Sequence, residues 1–272
     1  MTTTDSYIPT PAELVEVIDE TPTIKTLVLA PAEPMSFKAG QFIQLTLPGV
    51  GEGPFTPSSS PSTPERIAIT ILRTGTVTER LHECKPGDVL GLRGPYGKGY
   101  PIEKLAGCEV LVVGGGVGLA PLRALILALL DDLGPITRMS IRYGARSMEE
   151  LLFRREYEQW SSRPKVDMQV TIDSPQSGWN GNTGVVTTLL KNLDMTVPEC
   201  VAFLCGPGIM LQFATQALES EGLKPDQIYL SMNRRMSCGM GLCGRCNIGP
   251  YYLCKDGPDM NYALIKDAPN VF

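Results

Sequence analysis

Apolar and polar positions alternate in short runs over the first hundred residues. Segments 13–19, 24–29, 42–47, 67–72 and 89–92 each read as a strand. Glycine and proline punctuate them at Lys38-Ala39-Gly40, Gly51-Glu52-Gly53-Pro54 and Lys85-Pro86-Gly87-Asp88. With one brief helix over 77–84, the pattern predicts a small β-barrel. The rhythm changes near Leu105. Residues 110–113 form an unbroken apolar run, as a strand covered on both faces requires. Helix, strand, helix, strand, helix, strand, helix and strand then follow at 119–133, 139–143, 148–160, 167–172, 183–193, 201–204, 209–221 and 228–230. This alternation predicts an α/β domain with a doubly wound parallel sheet. From Asn233 onward the periodicity vanishes and glycine and cysteine take over. The expected division is therefore 1–103, 104–231 and a small C-terminal domain, 232–272.

A chain of 272 residues, 43% hydrophobic and 19% charged, suits two soluble domains with a small appendage. Its formal net charge of −5 argues against a sequence-independent grip on nucleic acid. The longest apolar stretch, 119–130, is broken by Pro121 and Arg123 and is too short to span a bilayer. Met1-Thr2-Thr3-Thr4-Asp5 lacks a basic region followed by an apolar core, so a cytoplasmic location is expected. The one histidine, His82, excludes chemistry that needs several imidazoles, and reads as a helix-surface residue.

Cysteine changes the picture. Four of the eight cysteines fall within 17 residues, with four residues between Cys238 and Cys243, two between Cys243 and Cys246, and seven before Cys254. C-x4-C-x2-C…C is the plant-type spacing for a [2Fe–2S] cluster. Gly239, Gly241 and Gly244 let the loop fold tightly enough to aim backbone N–H groups at sulfur. A structural zinc site is the alternative, although zinc sites usually repeat C-x2-C pairs across a longer gap. Disulfides fit the clustering less well.

Two turns carry anion-binding signals. Gly114-Gly115-Gly116-Val117-Gly118-Leu119-Ala120-Pro121 follows a strand and opens a helix, as a dinucleotide-binding turn does. The match to G-x-G-x-x-G is imperfect, because Pro121 stands at the third glycine counted from Gly116, and a tight structural turn is the other reading. After the second strand, Arg146 and Ser147 could hold the 2′-phosphate of NADP, or Arg146 could be a solvated loop charge; the choice between NAD and NADP stays open. Arg73-Thr74-Gly75-Thr76-Val77-Thr78 is either a second anion site or a plain helix cap made by Thr76 or Thr78.

Phe55-Thr56-Pro57-Ser58-Ser59-Ser60-Pro61, Gly75-Thr76-Val77-Thr78, Gly94-Pro95-Tyr96-Gly97 and Cys205-Gly206-Pro207 occur in the order seen in the ferredoxin–NADP reductase superfamily, which this chain resembles. With Cys238-Gly239-Met240-Gly241-Leu242-Cys243-Gly244-Arg245-Cys246-Asn247-Ile248-Gly249 and Cys254-Lys255-Asp256-Gly257-Pro258, it is similar over essentially its whole length to the gamma subunits of cytosolic [NiFe] hydrogenases. More distant likenesses are to electron-transfer subunits of dihydroorotate dehydrogenase, anaerobic sulfite reductase and a bifurcating transhydrogenase. The resemblance implies FAD on the barrel, NAD(P) on the α/β domain and a [2Fe–2S] cluster on Cys238, Cys243, Cys246 and Cys254. It further implies that electrons pass between NAD(P)H and an iron–sulfur subunit and the [NiFe] small and large subunits.

By the same resemblance the flavin motif R-x-Y-S falls on Gly53, Pro54, Phe55 and Thr56. Phe55 would lie against the ring and Thr56 would bond its edge, with Ser58 and Ser59 following in the same stretch. The motif's arginine is absent, as in related hydrogenase subunits, which leaves more of the pyrophosphate to Gly75, Val77 and Thr78. Gly114, Gly115, Gly116, Gly118, Arg146, Gly206 and Pro207 would hold the nucleotide, and Cys205 would sit beside the nicotinamide as hydride moves. Read without the family, Phe55 is a core aromatic and Cys205 a small buried residue at a strand end.

Overall fold

The structure, a computed structural model, describes residues 7–272. Residues 1–6, which carry the expectation about a leader and open the first predicted domain, lie outside the described residues.

Strands β1 (Thr10–Thr21), β2 (Ile24–Pro31), β3 (Phe42–Leu47), β4 (Gly51–Phe55), β5 (Ile67–Leu72) and β6 (Val89–Tyr96) form an antiparallel sheet in the order β4-β3-β6-β1-β2-β5. Beyond β4 the chain turns onto β5, where the Ser58 N–H donates to the Ala68 carbonyl at 2.8 Å. The two sheet edges therefore meet, and the sheet curls around Leu14, Leu29, Ile43, Leu45, Ile67 and Ile69. β4 corrects the sequence expectation of a turn at Gly51-Glu52-Gly53-Pro54. Pro54 is tolerated because β4 is an edge strand, where a missing N–H breaks no ladder. The brief helix α1 is Thr76–Leu81.

The second half is a parallel sheet of β7 (Glu109–Gly115), β8 (Arg138–Ala145), β9 (Val166–Ile172), β10 (Asn182–Thr183), β11 (Cys200–Cys205) and β12 (Ile228–Ser231), in the order β10-β9-β8-β7-β11-β12. Alternate residues of β7 feed two cores, as a doubly covered strand must. Val110 and Val112 pack with α2 (Leu119–Asp131), whereas Leu111 and Val113 face the opposite layer.

Two predicted helices do not form. Over 148–160 there are two 3₁₀ turns and the short α3 (Tyr157–Ser161). Leu151, Leu152 and Phe153 are buried in succession, which one helix face cannot achieve, and Phe153 breaks the run with φ of 54°. Over 183–193 the chain gives β10 and a 3₁₀ turn, Val186–Leu190. Here Gly184 has φ of +118°, and the β-branched run Val185-Val186-Thr187-Thr188 is a poor helix former. The helix after β11 forms as expected: α4 (Gly208–Ser220) covers the second face through Leu211, Ala214 and Leu218.

The C-terminal segment contains β13 (Asn247–Ile248), β14 (Tyr251–Tyr252), α5 (Leu253–Asp256), β15 (Asp259–Asn261) and α6 (Tyr262–Ile265). β15 adds antiparallel to β12 and ends the large sheet, a strand that sequence periodicity did not signal. Cys246, Ile248, Leu253, Cys254, Met260 and Ile265 are buried in one core with Leu111, Val113, Leu204 and Leu211. The segment is thus built into the nucleotide half. Leu253→Ala is expected to lower the unfolding free energy of that half by about 2–5 kcal/mol. Urea unfolding followed by the fluorescence of buried Trp160 checks this; an unchanged midpoint would mean that the segment folds apart.

Candidate redox-cofactor site

Polar contacts lock the two halves together around a cleft. The Arg123 guanidinium, on α2, pairs with Glu156 at 2.8 Å, lies 4.9 Å over the Phe153 ring and donates to the Ser58 carbonyl of the barrel. Arg155 pairs with Glu20 of the barrel at 2.8 Å. On the other side, the Tyr100 hydroxyl hydrogen-bonds the Ser231 hydroxyl at 3.1 Å, and the Gln44 amide donates to the Met236 carbonyl. The cleft between has a volume of about 760 Å³ and opens at the carboxyl ends of β7 and β11, where parallel sheets place their ligands.

Phe55, Thr56 and Thr78 from the barrel side face Gly115, Gly116, Gly118, Arg146, Cys205, Gly206 and Pro207 across this cleft. The sequence-predicted flavin and nucleotide residues are therefore largely brought to one place. Gly116 has φ of +54°, which favours glycine. A Cβ on Gly118 would sit 2.2 Å from the Cys205 carbonyl oxygen, so only glycine lets the two turns approach.

Other expected residues lie outside the cleft or are committed to local contacts. Ser58 and Ser59 are buried beside β5: the Ser58 hydroxyl hydrogen-bonds Thr70 Oγ1 at 2.8 Å, and the Ser59 hydroxyl accepts from the Ala68 N–H at 3.1 Å. Gly114 packs against Tyr143 and Leu122 behind the cleft. Gly75 and Thr78 make a local cap. Thr78 Oγ1 accepts from the Thr74 and Gly75 N–H groups and donates to the Gly75 carbonyl, all at 2.9 Å. Val77 lines a second, adjoining cavity of about 490 Å³ with Gly53, Pro54 and Phe55. Arg146 is exposed at the cleft rim, and the Ser147 hydroxyl bonds Glu149 at 3.0 Å. His82 is part-buried and its ring Nε2 lies 2.8 Å from the Ile71 carbonyl, a structural contact outside the cleft.

Sequence reasoning missed a buried polar group. Asp259 on β15 accepts a hydrogen bond from Ser231 through Oδ1, while its Oδ2 is buried with no hydrogen-bond partner among the described residues, against the bare Cα of Gly40. Burial pushes its pKa up to about 7, opposed by the Ser231 and Tyr100 hydroxyls. The Cys205 thiol next to it is pushed up to about 12, by burial first and by the Asp259 charge second, so it remains protonated at neutral pH. No residue pattern announced Asp259, because β15 itself was unforeseen.

Among the described residues no three cysteines close around one metal position, but the four C-terminal cysteines contact one another in pairs, Cys238 with Cys243 and Cys246 with Cys254. Cys246 and Cys254 Sγ atoms lie 3.3 Å apart and are fully buried, while Cys238 is buried and Cys243 exposed. Two thiolates sharing a tetrahedral metal at about 2.3 Å would lie roughly 3.7 Å apart, close to the observed pair. Backbone N–H groups point at sulfur: Met240 and Leu242 at Cys238 Sγ, 3.4 and 3.3 Å, and Gly241 at Cys254 Sγ, 3.0 Å. Burial opposes ionisation of Cys238, but N–H donors from Cys243, Met240 and Leu242 outweigh it and draw the thiol down to about 6. Donors aimed at thiolate sulfur are what a cluster requires, so the residues fit the group. Tyr96 of the barrel packs on Gly239, where a Cβ would meet its ring at 2.7 Å.

Comparison with known proteins matches residues 12–100 to the family described as oxidoreductase FAD-binding domain, residues 112–216 to oxidoreductase NAD-binding domain, and residues 233–266 to the iron–sulfur cluster binding domain of dihydroorotate dehydrogenase B. The last match contains all four clustered cysteines, and supports iron–sulfur over zinc. Sulfhydrogenase 1 subunit gamma of Pyrococcus furiosus is 35% identical over 249 residues, covering 88% of this chain and 84% of that protein. A probable dihydroorotate dehydrogenase B electron transfer subunit of Methanocaldococcus jannaschii is 36% identical over 246 residues, covering 89% and 86%. A structure of the NADH-dependent reduced ferredoxin-NADP oxidoreductase shares the fold, with a TM-score of 0.74 at 24% identity over 94% of this chain and 91% of that one.

Asp259 makes stability depend on pH. Its folded pKa of about 7 lies above the ordinary carboxyl value of about 3.9, so its stabilising contribution is complete at low pH and is lost as pH rises towards 7. Asp259→Asn removes that loss. The variant should gain on wild type by up to ~2 kcal/mol between pH 5.5 and 8, at about 1.4 kcal/mol for each pH unit between 5.5 and the folded pKa of about 7. Parallel urea titrations at the two pH values check this, and equal pH dependence would contradict the buried carboxyl.

Proposed function

The chain belongs to the family of iron–sulfur flavoprotein electron-transfer subunits that includes the sulfhydrogenase gamma and dihydroorotate dehydrogenase B subunits, and on that premise we propose that it links NAD(P)H to a cytosolic [NiFe] hydrogenase. Its three cofactor-binding parts make it an NAD(P)H-linked oxidoreductase subunit for FAD, NAD and an iron–sulfur cluster. The observation that carries the reading is continuity: Met236 lines the cleft beside Phe55 and Cys205, and Cys238 follows two residues later.

A bound flavin supplies the conversion between the hydride pair of a nicotinamide and the single electrons of a cluster. The chain's own residues supply position. In this reading Phe55 and Thr56 hold the ring on the barrel wall. Gly115, Gly116 and Gly118, with Gly206 and Pro207, let the nucleotide approach the backbone. Cys205 stays a neutral thiol, so no fixed thiolate charge stands beside the nicotinamide. Cys238 with Cys243, and Cys246 with Cys254, would hold the two irons, with the Gly241, Met240 and Leu242 N–H groups damping their negative charge.

The identities to the two kinds of relative, 35% and 36%, do not separate their partners. The second reading is a dihydroorotate dehydrogenase catalytic subunit, which the iron–sulfur family match favours. A cytoplasmic setting accords with eight unbridged cysteines, and no helix among the described residues is long and apolar enough to cross a membrane.

Purification of the native complex, with metal analysis and hydrogen-dependent reduction of NAD and NADP assayed separately, tests the partner. A nickel-bearing large subunit and hydrogen-driven NAD(P)H formation are expected. A nickel-free complex with an FMN-binding barrel or a siroheme protein would replace the hydrogenase reading.

A further inference from the structure

The adjoining cavity of about 490 Å³ continues from Phe55 past Val77 and Thr78 to the loop 233–237 of the C-terminal segment. It shares Pro54, Phe55, Thr78, Asn233 and Met236 with the cleft, so a ligand whose ring lies on Phe55 can extend its tail there. FAD carries a doubly charged pyrophosphate in that tail, and a buried or half-buried anion needs a cation or several N–H donors.

The charges lining this cavity are few, and most are committed. Glu52 is repelling in sign, but it is held by the buried Arg93 guanidinium at 2.6 Å. Of the two hydroxyls lining it, Ser237 carries no charge, and Thr78 already accepts two N–H bonds and donates one within its own turn. Arg234 is turned towards the Asn233 and Asn270 carbonyls. Arg235 is different: it is exposed, lines the cavity, and among the described residues makes no side-chain hydrogen bond or ion pair. Gly53 across the cavity brings no side chain at all, which leaves room for the guanidinium or the phosphate between them.

The geometry points to Arg235 as the cationic partner of the flavin pyrophosphate, supplied to the barrel's cofactor by the iron–sulfur segment. This inference rests on the flavin-site reading above and deepens it. Arg235 stands three residues before Cys238, so the same loop that carries the cluster would clamp the flavin tail. The guanidinium fork suits a phosphate better than an ammonium does, because it can give two parallel N–H bonds.

Equilibrium titration of the flavin-stripped full chain, read by flavin fluorescence and needing no turnover, tests the assignment with FAD and with riboflavin, which has no phosphate. Arg235→Ala should weaken FAD roughly 10- to 100-fold, the range for charge-assisted bonds to a phosphate, and leave riboflavin unchanged. Arg235→Lys should restore part of the FAD affinity, and Arg234→Ala should leave FAD unaffected. FAD affinity within twofold of wild type in Arg235→Ala, or an equal loss for riboflavin, would overturn the role of Arg235. Phe55→Ala separates the two levels: it should weaken both flavins. If it weakens neither, the flavin-site reading itself fails and the inference falls with it.

Discussion

The backbone of Gly118 lies so close to the Cys205 carbonyl that a methyl group there would overlap it at 2.2 Å. Much of the redox site follows from that contact. It presses the turn after β7 against the turn after β11, so that Gly115 and Gly116 stand beside Gly206 and Pro207 at the carboxyl edge of the sheet. The Arg123–Glu156 pair and the Arg123 bond to the Ser58 carbonyl then hold this edge against the barrel wall that carries Phe55 and Thr56. Loss of the contact would separate the two walls that a flavin and a nicotinamide must share.

The C-terminal segment fixes the third side. Its strand β15 extends the large sheet, its thiols Cys246 and Cys254 are buried with Leu204 and Leu211, and its loop rests on Tyr96 of the barrel. Electron transfer depends on a constant separation between centres, and a shared core provides one more firmly than a linker. The same segment places Asp259 under Ser231 and Cys205, and Arg235 and Met236 along the flavin cavity. In the proposed reading, cluster binding, cleft closure and contact with the flavin tail all fall to one stretch of chain.

Most of the sheet strands, though not β4, β10 or β15, and the two long helices were legible because each buries a regular face. The unbroken run around Val110–Val113 and the periodic apolar positions of α2 and α4 are local signals of burial. The cysteine spacing was legible because cluster geometry fixes it. Apart from 183–193, where Gly184 and a β-branched run break the helix locally, the failures come from tertiary contact overriding local pattern. Leu151, Leu152 and Phe153 are apolar in succession and were read as helix, yet the core takes all three by bending the chain. Pro54 reads as a breaker until β4 is known to be an edge. Asp259, in a segment without periodicity, reads as a surface carboxylate until β15 pairs with β12 and carries it inside.

The central claim is a single route from nicotinamide through flavin to the clustered cysteines. Anaerobic titration of the isolated chain with NADH, with flavin absorbance and the EPR signal of a reduced [2Fe–2S] cluster recorded together, measures it most directly. The account predicts that the cluster signal develops in the flavin-loaded chain and is absent when flavin has been removed. A cluster that stays oxidised while the flavin is fully reduced, under a potential sufficient to reduce both, or one that NADH reduces without flavin, would contradict it.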